Sequence, residues 1–297
     1  MKKFLFMVLM LPAVALAAQP RVNYLGCLQG ESHRQHGFSY QGMDMWNGYA
    51  LSCQNQGVAT LYRVGDESFR AVSQWHLASF HKYNHSNVVS FGVEKAEKGD
   101  EFPVAYISQC HRKTVDGRKD LCYVERIAPD RQSSTLVQTI FYDDTAGDFG
   151  YAVQWVVDRR HKMLYGFGNT IDNNDPANCH RIIKFRLPKL SDGAEVVLHR
   201  EDALEDYTIE EVSGFRFSCI GQGLCINGNE LFMPTGIGTE KHPSILYIWN
   251  LKTRKMRTVE LVRETTGELE DIAIQRPGWF VIQGQDGLFR AKASSLK

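Results

Sequence analysis

Apolar and polar residues alternate in short runs along most of this chain, and turn residues interrupt the runs at close intervals. The pattern is clearest in Gln41-Gly42-Met43-Asp44-Met45 followed by Asn47-Gly48, and again in Gln222-Gly223-Leu224-Cys225-Ile226 followed by Asn227-Gly228. Alternation with period two marks a strand with one buried face, and Asn-Gly suits the positive φ of a two-residue hairpin turn. Five segments repeat this strand, turn, strand order. The first predicts strands from Gln41 to the Asn47-Gly48 turn and over 49–53, 58–64 and 69–77. The second predicts 87–91, 104–108, 121–127 and 134–142, with a charged loop over 94–101; the third predicts 151–157, 163–168, 181–187 and 195–199. The fourth begins at Gln222 and continues over 230–233, 245–250 and 256–261, and the fifth covers 270–274, 279–283 and 288–293.

A small sheet of this kind cannot bury its own apolar face, so a chain that repeats it must stack the copies around a channel. The expected fold class is all-β, a β-propeller of five four-stranded blades. The fifth unit has only three strands, and an unassigned strand over 21–28 supplies the fourth, so the N-terminal strand closes the ring and removes its exposed edges. Six blades follow if residues 203–217 hide a degenerate unit. A two-sheet sandwich is the rival architecture, but it does not require the repeated first hairpin. In outline the chain resembles the β-propeller superfamily, whose five-bladed members include secreted glycoside hydrolases and calcium-dependent apyrases. That resemblance spans nearly all of the chain after residue 18 and rests on blade pattern, so it implies a fold and carries over no active site.

Met1-Lys2-Lys3, the apolar run 4–16 and the small residues Ala15, Ala17 and Ala18 read as a secretory signal peptide, with cleavage near Ala17 or Ala18. The apolar run is too short to span a membrane. A lipid anchor on Cys27 is the competing reading of Leu25-Gly26-Cys27, but polar Gln19, Arg21 and Asn23 separate that cysteine from the apolar run. The expectation is therefore an exported protein, periplasmic or extracellular, with residues 19–297 forming a single domain. Loss of Lys2 and Lys3 leaves the remainder two charges negative, a balance that favours neither nucleic acid nor an anionic membrane. Asn84-His85-Ser86 matches the N-glycosylation triplet and is discounted beside so short, Lys-Lys-initiated a leader.

Seven cysteines lie after the leader, an odd number that forbids complete pairing within one chain. Cys110 and Cys122 form the best candidate disulfide because the Asp116-Gly117 turn would lay their strands antiparallel, and Cys219 could meet Cys225 across a short loop. The plainer reading makes most of them small core residues. None has the spacing of a zinc site.

In a propeller the innermost strand of every blade lines the channel, so aligning the first turns places Gln41, Asn87, Gln154, Gln222 and Glu270 at a funnel mouth. Amides offer both donor and acceptor atoms, a combination suited to sugar hydroxyls or to orienting water. The expected function is a binding or interaction scaffold whose ligand is a small molecule or glycan held by those five residues, or a protein partner. A polar, water-filled channel that needs no ligand is the bland alternative.

The entrance loops add candidate chemistry. His33 and His36 on one loop and His81 and His85 on the next could bind a transition metal such as zinc or act as bases. The 143–148 loop, with Asp144 and Asp148 beside Gly147, has a composition able to take calcium without the full EF-hand spacing. Exposed loop histidines and a solvated turn explain the same residues, and no cofactor is required by the sequence. A glycosidase-like hydrolase is the alternative function and needs two facing carboxylates, for which Glu270 and Asp148 are the best pair. Asp44 would face away from the channel if its strand were regular, and Glu268 would share a face with Glu270. Trp46, Tyr83, Tyr151 and Trp155 could stack on sugar rings, although packing between blades explains them equally well. No GxSxG elbow, Walker loop or dinucleotide-type glycine fingerprint is present.

Overall fold

The computed structural model describes residues 22–26, 38–111, 113–147, 149–217, 221–261, 265 and 267–296. Residues 1–18, expected as a signal peptide, and Cys27, His33, His36, Asp148 and Cys219 lie outside the described residues. Within them the chain is a five-bladed β-propeller.

Blade one is the antiparallel meander β2 (Tyr40–Trp46), β3 (Tyr49–Gln54), β4 (Val58–Val64) and β5 (Phe69–His76). Blade two comprises β6 (Val89–Phe91), β7 (Ala105–Ser108), β8 (Cys122–Ala128) and β9 (Ser133–Tyr142). Blade three comprises β10 (Tyr151–Asp158), β11 (Met163–Asn169), β12 (His180–Arg186) and β14 (Glu205–Thr208), and blade four β15 (Cys225–Asn227), β16 (Glu230–Thr235), β17 (Ile245–Asn250) and β18 (Lys255–Glu260). Blade five is β19 (Leu269–Arg276), β20 (Trp279–Gly284) and β21 (Gly287–Lys292), completed by β1 (Val22–Gly26), which pairs antiparallel with β21. The closure expected of the N-terminal strand is thus the one found.

One strand is placed differently from the sequence reading. The segment expected as the outer strand of blade three, β13 (Glu195–Leu198), instead runs parallel to β9 and gives blade two a fifth strand. Gln138 holds it there by donating to the carbonyls of Lys189 and Gly193, each at 2.8 Å, while Leu198 joins the apolar contacts between blades two and three. Residues 203–217 therefore supply β14 and a short helix, α1 (Ile209–Ser213), and no sixth blade. Local alternation is the same for both placements, so only packing could choose between them.

Each blade packs on the next through its own apolar cluster. Leu51 and Leu61 meet Phe91 and Ile107 at the first seam, Tyr106 meets Trp155 at the second, and Phe167 meets Tyr247 at the third. Phe232 meets Phe280 at the fourth, and Val281 meets Met43 at the fifth. Buried inner-strand side chains add hydrogen bonds across four seams. Asp44 accepts the Phe91 N–H at 2.7 Å, Ser90 the Val157 N–H at 3.3 Å, and Asp271 the Met43 N–H at 2.7 Å, while the Cys225 sulfur accepts from Ile274.

The cysteine expectations change as well. Cys110 and Cys122 are unbridged, although Asp116 and Gly117 do form the predicted turn, at φ of 51° and 80°. Cys122 points into the apolar cluster between blades two and three, whereas the Cys110 sulfur faces the Ala152 carbonyl at 3.4 Å. Burial pushes both thiols far above their usual range, so they are inert packing groups.

Candidate functional site

The inner strands leave a channel with two different ends. Its narrow end holds about 140 Å³ and touches all five inner strands. There Asp44 meets Arg159 at 3.2 Å. Asp44 lines the channel, contrary to the expectation from a regular strand, because a bulge between Tyr40 and Met43 shifts the register of β2 against β3. Burial raises its carboxyl pKa despite the opposing pull of Arg159.

The wide end is a cavity of about 410 Å³ framed by blades one, two, three and four. Asn87, Gln154 and Gln222 line it together, as aligning the first turns predicted. Asn87 donates to the Gln222 carbonyl at 3.2 Å, and the Gln222 amide donates to Glu268 at 2.5 Å. Asn87 Oδ1 and Gln154 Oε1 are buried without a hydrogen-bond partner, on residues only 4% and 6% exposed. Both side chains also hydrogen-bond the Cys110 thiol, and their unpaired oxygens are free to accept from a water or a ligand in the cavity.

Gln41 and Glu270 sit beside that cavity and do not line it. Gln41 donates weakly to Ser39 Oγ at 3.4 Å and leaves Oε1 unpartnered, while its backbone carbonyl accepts from Gln283. Glu270 is 2% exposed and in hydrogen-bond contact with Glu268. Gln285 donates to Glu270 and to the Tyr40 carbonyl, linking blade five to blade one. Burial raises the pKa of both glutamates, and for Glu270 the neighbouring Glu268 charge raises it further. Such a pair holds a shared proton more readily than two charges.

The described metal candidates, His81, His85 and Asp144, engage different partners. His81 Nδ1 accepts the Tyr83 N–H, whereas His85 reaches the cavity and lies near His111, its pKa lowered first by burial and then by that neighbour. Asp144 bonds Lys119 at 2.5 Å and accepts the Phe149 N–H at 2.7 Å, which makes it a loop clamp. Among the described residues no group of three or more His, Cys, Asp or Glu side chains is placed to hold a metal ion. Of the aromatics proposed for stacking, Trp155 is wholly buried and donates to the Asp120 carbonyl at 2.6 Å, while Tyr151 lines the cavity.

A side chamber of about 440 Å³ opens from the cavity between blades three and four, sharing Gln154, Asn169, Asn173 and Gly221 with it. His180 lines this chamber. Its ring rests against Phe217 and Phe167, with centroids 4.2 and 5.9 Å away. Glu210 fixes it further: one carboxylate oxygen meets His180 Nδ1 at 2.7 Å, and the other accepts its backbone N–H at 2.7 Å. Sequence reading passed over this pair. The available signal was the capping-box spacing of Thr208 and Glu211, which starts α1 and presents Glu210 to β12. A larger groove of about 850 Å³ lies on the outer flank of blades one and two. There Arg126 is already paired with Glu97 and Asp100.

No protein-family model and no curated protein matches the chain. Among solved structures, the chain is similar to the tail fiber of Staphylococcus aureus phage P68, with 9% identity and a TM-score of 0.51 over 91% of this chain. The chain spans about half, 51%, of that fiber's length. A structural-genomics protein of unknown function from Bacteroides thetaiotaomicron aligns over 91% of this chain and 75% of its own, with 12% identity and a TM-score of 0.47. YCF48 bound to a D1 peptide aligns over 84% of this chain and 61% of its own, with 13% identity and a TM-score of 0.40. At these identities the first likeness shows the fold alone. Among the described residues no helix is long and apolar enough to cross a membrane.

Proposed function

We propose that this protein is an exported binding propeller whose wide funnel holds a hydroxyl-rich small molecule, such as the end of a glycan chain. The fold supports a generic binding or interaction role, and the unpartnered oxygens of Asn87 and Gln154 carry the narrower reading. Both are acceptors, and the Asn87 and Gln222 amide groups already donate within the protein, so the free valence of the ring asks for O–H or N–H groups from outside. Sugar hydroxyls supply such donors, and the apolar shoulder of Phe217 in the adjoining chamber gives a sugar face something to rest on. Export rests on the leader-like pattern of residues 1–18 and puts the funnel in the periplasm or outside the cell.

The hydrolase alternative draws on Glu270 with Asp148. Asp148 lies outside the described residues, and Glu270 is 2% exposed, accepts from Gln285 and does not line the cavity, so it is not presented to a substrate there. Binding is therefore the preferred function. Calcium or zinc would have to draw on the entrance loops that carry His33, His36 and Asp148.

Calorimetric titration of the mature chain with a panel of oligosaccharides tests the proposal. An Asn87→Leu, Gln154→Leu variant is expected to bind at least about tenfold more weakly, with only the modest loss of melting temperature that follows from removing the Asn87 donation to the Gln222 carbonyl. Equal affinity in wild type and variant would remove the funnel as the site.

A further inference from the structure

The wide funnel and its side chamber are basic. Two lysines, Lys82 and Lys241, and four histidines, His85, His111, His180 and His242, line them, and among the described lining residues there is no carboxylate. This is local, because the whole chain carries equal numbers of acidic and basic residues. Lys241 is exposed and has no ion-pair partner among the described residues. The Nδ1 of His242 is buried and unpartnered. His180 gives Nδ1 to Glu210, so its Nε2 is the ring nitrogen left for a ligand.

Apart from the exposed Glu240 beside Lys241, the acidic groups that approach this surface are committed elsewhere or turned away. Glu210 lies behind His180, Glu268 lies behind Gln222 and is bonded to Glu270, and Asp120 is buried beside the His111 backbone. Asp172 and Asp175, on the exposed loop after β11, accept hydrogen bonds from their own loop at Asn174 and Ala177. A concave surface whose charges are nearly all positive raises the local concentration of anions, while its amide oxygens still ask for hydroxyl donors.

We infer that the funnel takes a polyhydroxylated anion, specifically an acidic oligosaccharide bearing carboxylates, with His180 and Lys241 of the side chamber holding the carboxylate and Asn87 and Gln154 holding the hydroxyls. This rests on the glycan reading above and adds the charge. The carboxylate accepts from the Lys241 ammonium and from His180 Nε2 when both ring nitrogens carry protons.

Trigalacturonic acid and its trimethyl ester share one sugar scaffold and differ in charge. Both are titrated calorimetrically into the mature protein at pH 6 and low salt. The acid is expected to bind at least about tenfold tighter than the ester, with the difference shrinking at high salt as screening grows. In a His180→Gln, Lys241→Met variant the two affinities should converge, and Lys252→Met on a distant turn should alter neither. Equal binding of acid and ester by the wild type overturns the charge inference and leaves the glycan reading standing. A preference that survives in the double variant overturns the assigned subsite. If neither oligomer binds, the glycan reading falls and the inference with it.

Discussion

Asp271, on the inner strand of blade five, accepts the backbone N–H of Met43 in blade one at 2.7 Å, so a single side chain spans the seam where the ring of blades closes. It also accepts the Ile272 N–H at 2.8 Å and bonds the Leu224 backbone of blade four. Replacement by alanine would leave these buried N–H groups without an acceptor, at about 1 to 3 kcal/mol each. Asp271→Ala is expected to lose about 3 kcal/mol or more in denaturant unfolding. Asp271→Asn should lose much less near neutral pH, because an amide oxygen still accepts and no buried charge has to be carried.

Gly223 lies directly against that carboxylate. A Cβ built there would stand 2.1 Å from Asp271 Oδ1 and 2.5 Å from the Glu270 carbonyl. Since the seam holds both atoms in place, Gly223→Ala should cost about 2 kcal/mol or more through overpacking. Thermal denaturation checks this, and a loss below about 0.5 kcal/mol would show that the seam can yield.

The Glu268 and Glu270 pair gives a pH dependence with a definite sign. Both carboxyls have pKa values raised in the folded protein, so folding favours their protonated forms. Their stabilising contribution is complete below the ordinary carboxylate range and is lost as pH rises through the raised values. Glu270→Gln, which keeps the shape without the charge, is expected to flatten the fall in melting temperature from pH 5 to pH 8 and to raise it at the alkaline end. A variant curve parallel to the wild type would contradict the shared-proton arrangement.

Closure by β1 can be tested by truncation. A chain starting at residue 19 keeps Val22–Gly26 on β21, whereas one starting at residue 27 bares that edge. The shorter form is expected to melt several degrees lower and to associate on size-exclusion chromatography, while the longer form stays monodisperse.

The sequence by itself determined the blades. Asn47-Gly48 forms the predicted two-residue turn, with φ of 47° and 79°, and the second hairpin turns one residue later, at Gly228-Asn229, with Asn227 paired to Glu230, because turn chemistry and period-two alternation are local properties that neighbouring residues settle between them. It also placed Asn87, Gln154 and Gln222 around one cavity, since inner strands converge wherever a propeller closes. The tertiary structure alone decided the rest. The choice of β9 as partner for Glu195–Leu198 depended on Gln138 reaching a loop some fifty residues away, and the channel-facing position of Asp44 depended on a bulge that alternation cannot announce. His180 and Glu210 stand thirty residues apart and meet only because β12 and α1 pack together, so neither carried a local signature of its role. The expected Cys110–Cys122 bridge failed for the same reason: a shared hairpin brings two strands together, but the packing on either side decides where their sulfurs point.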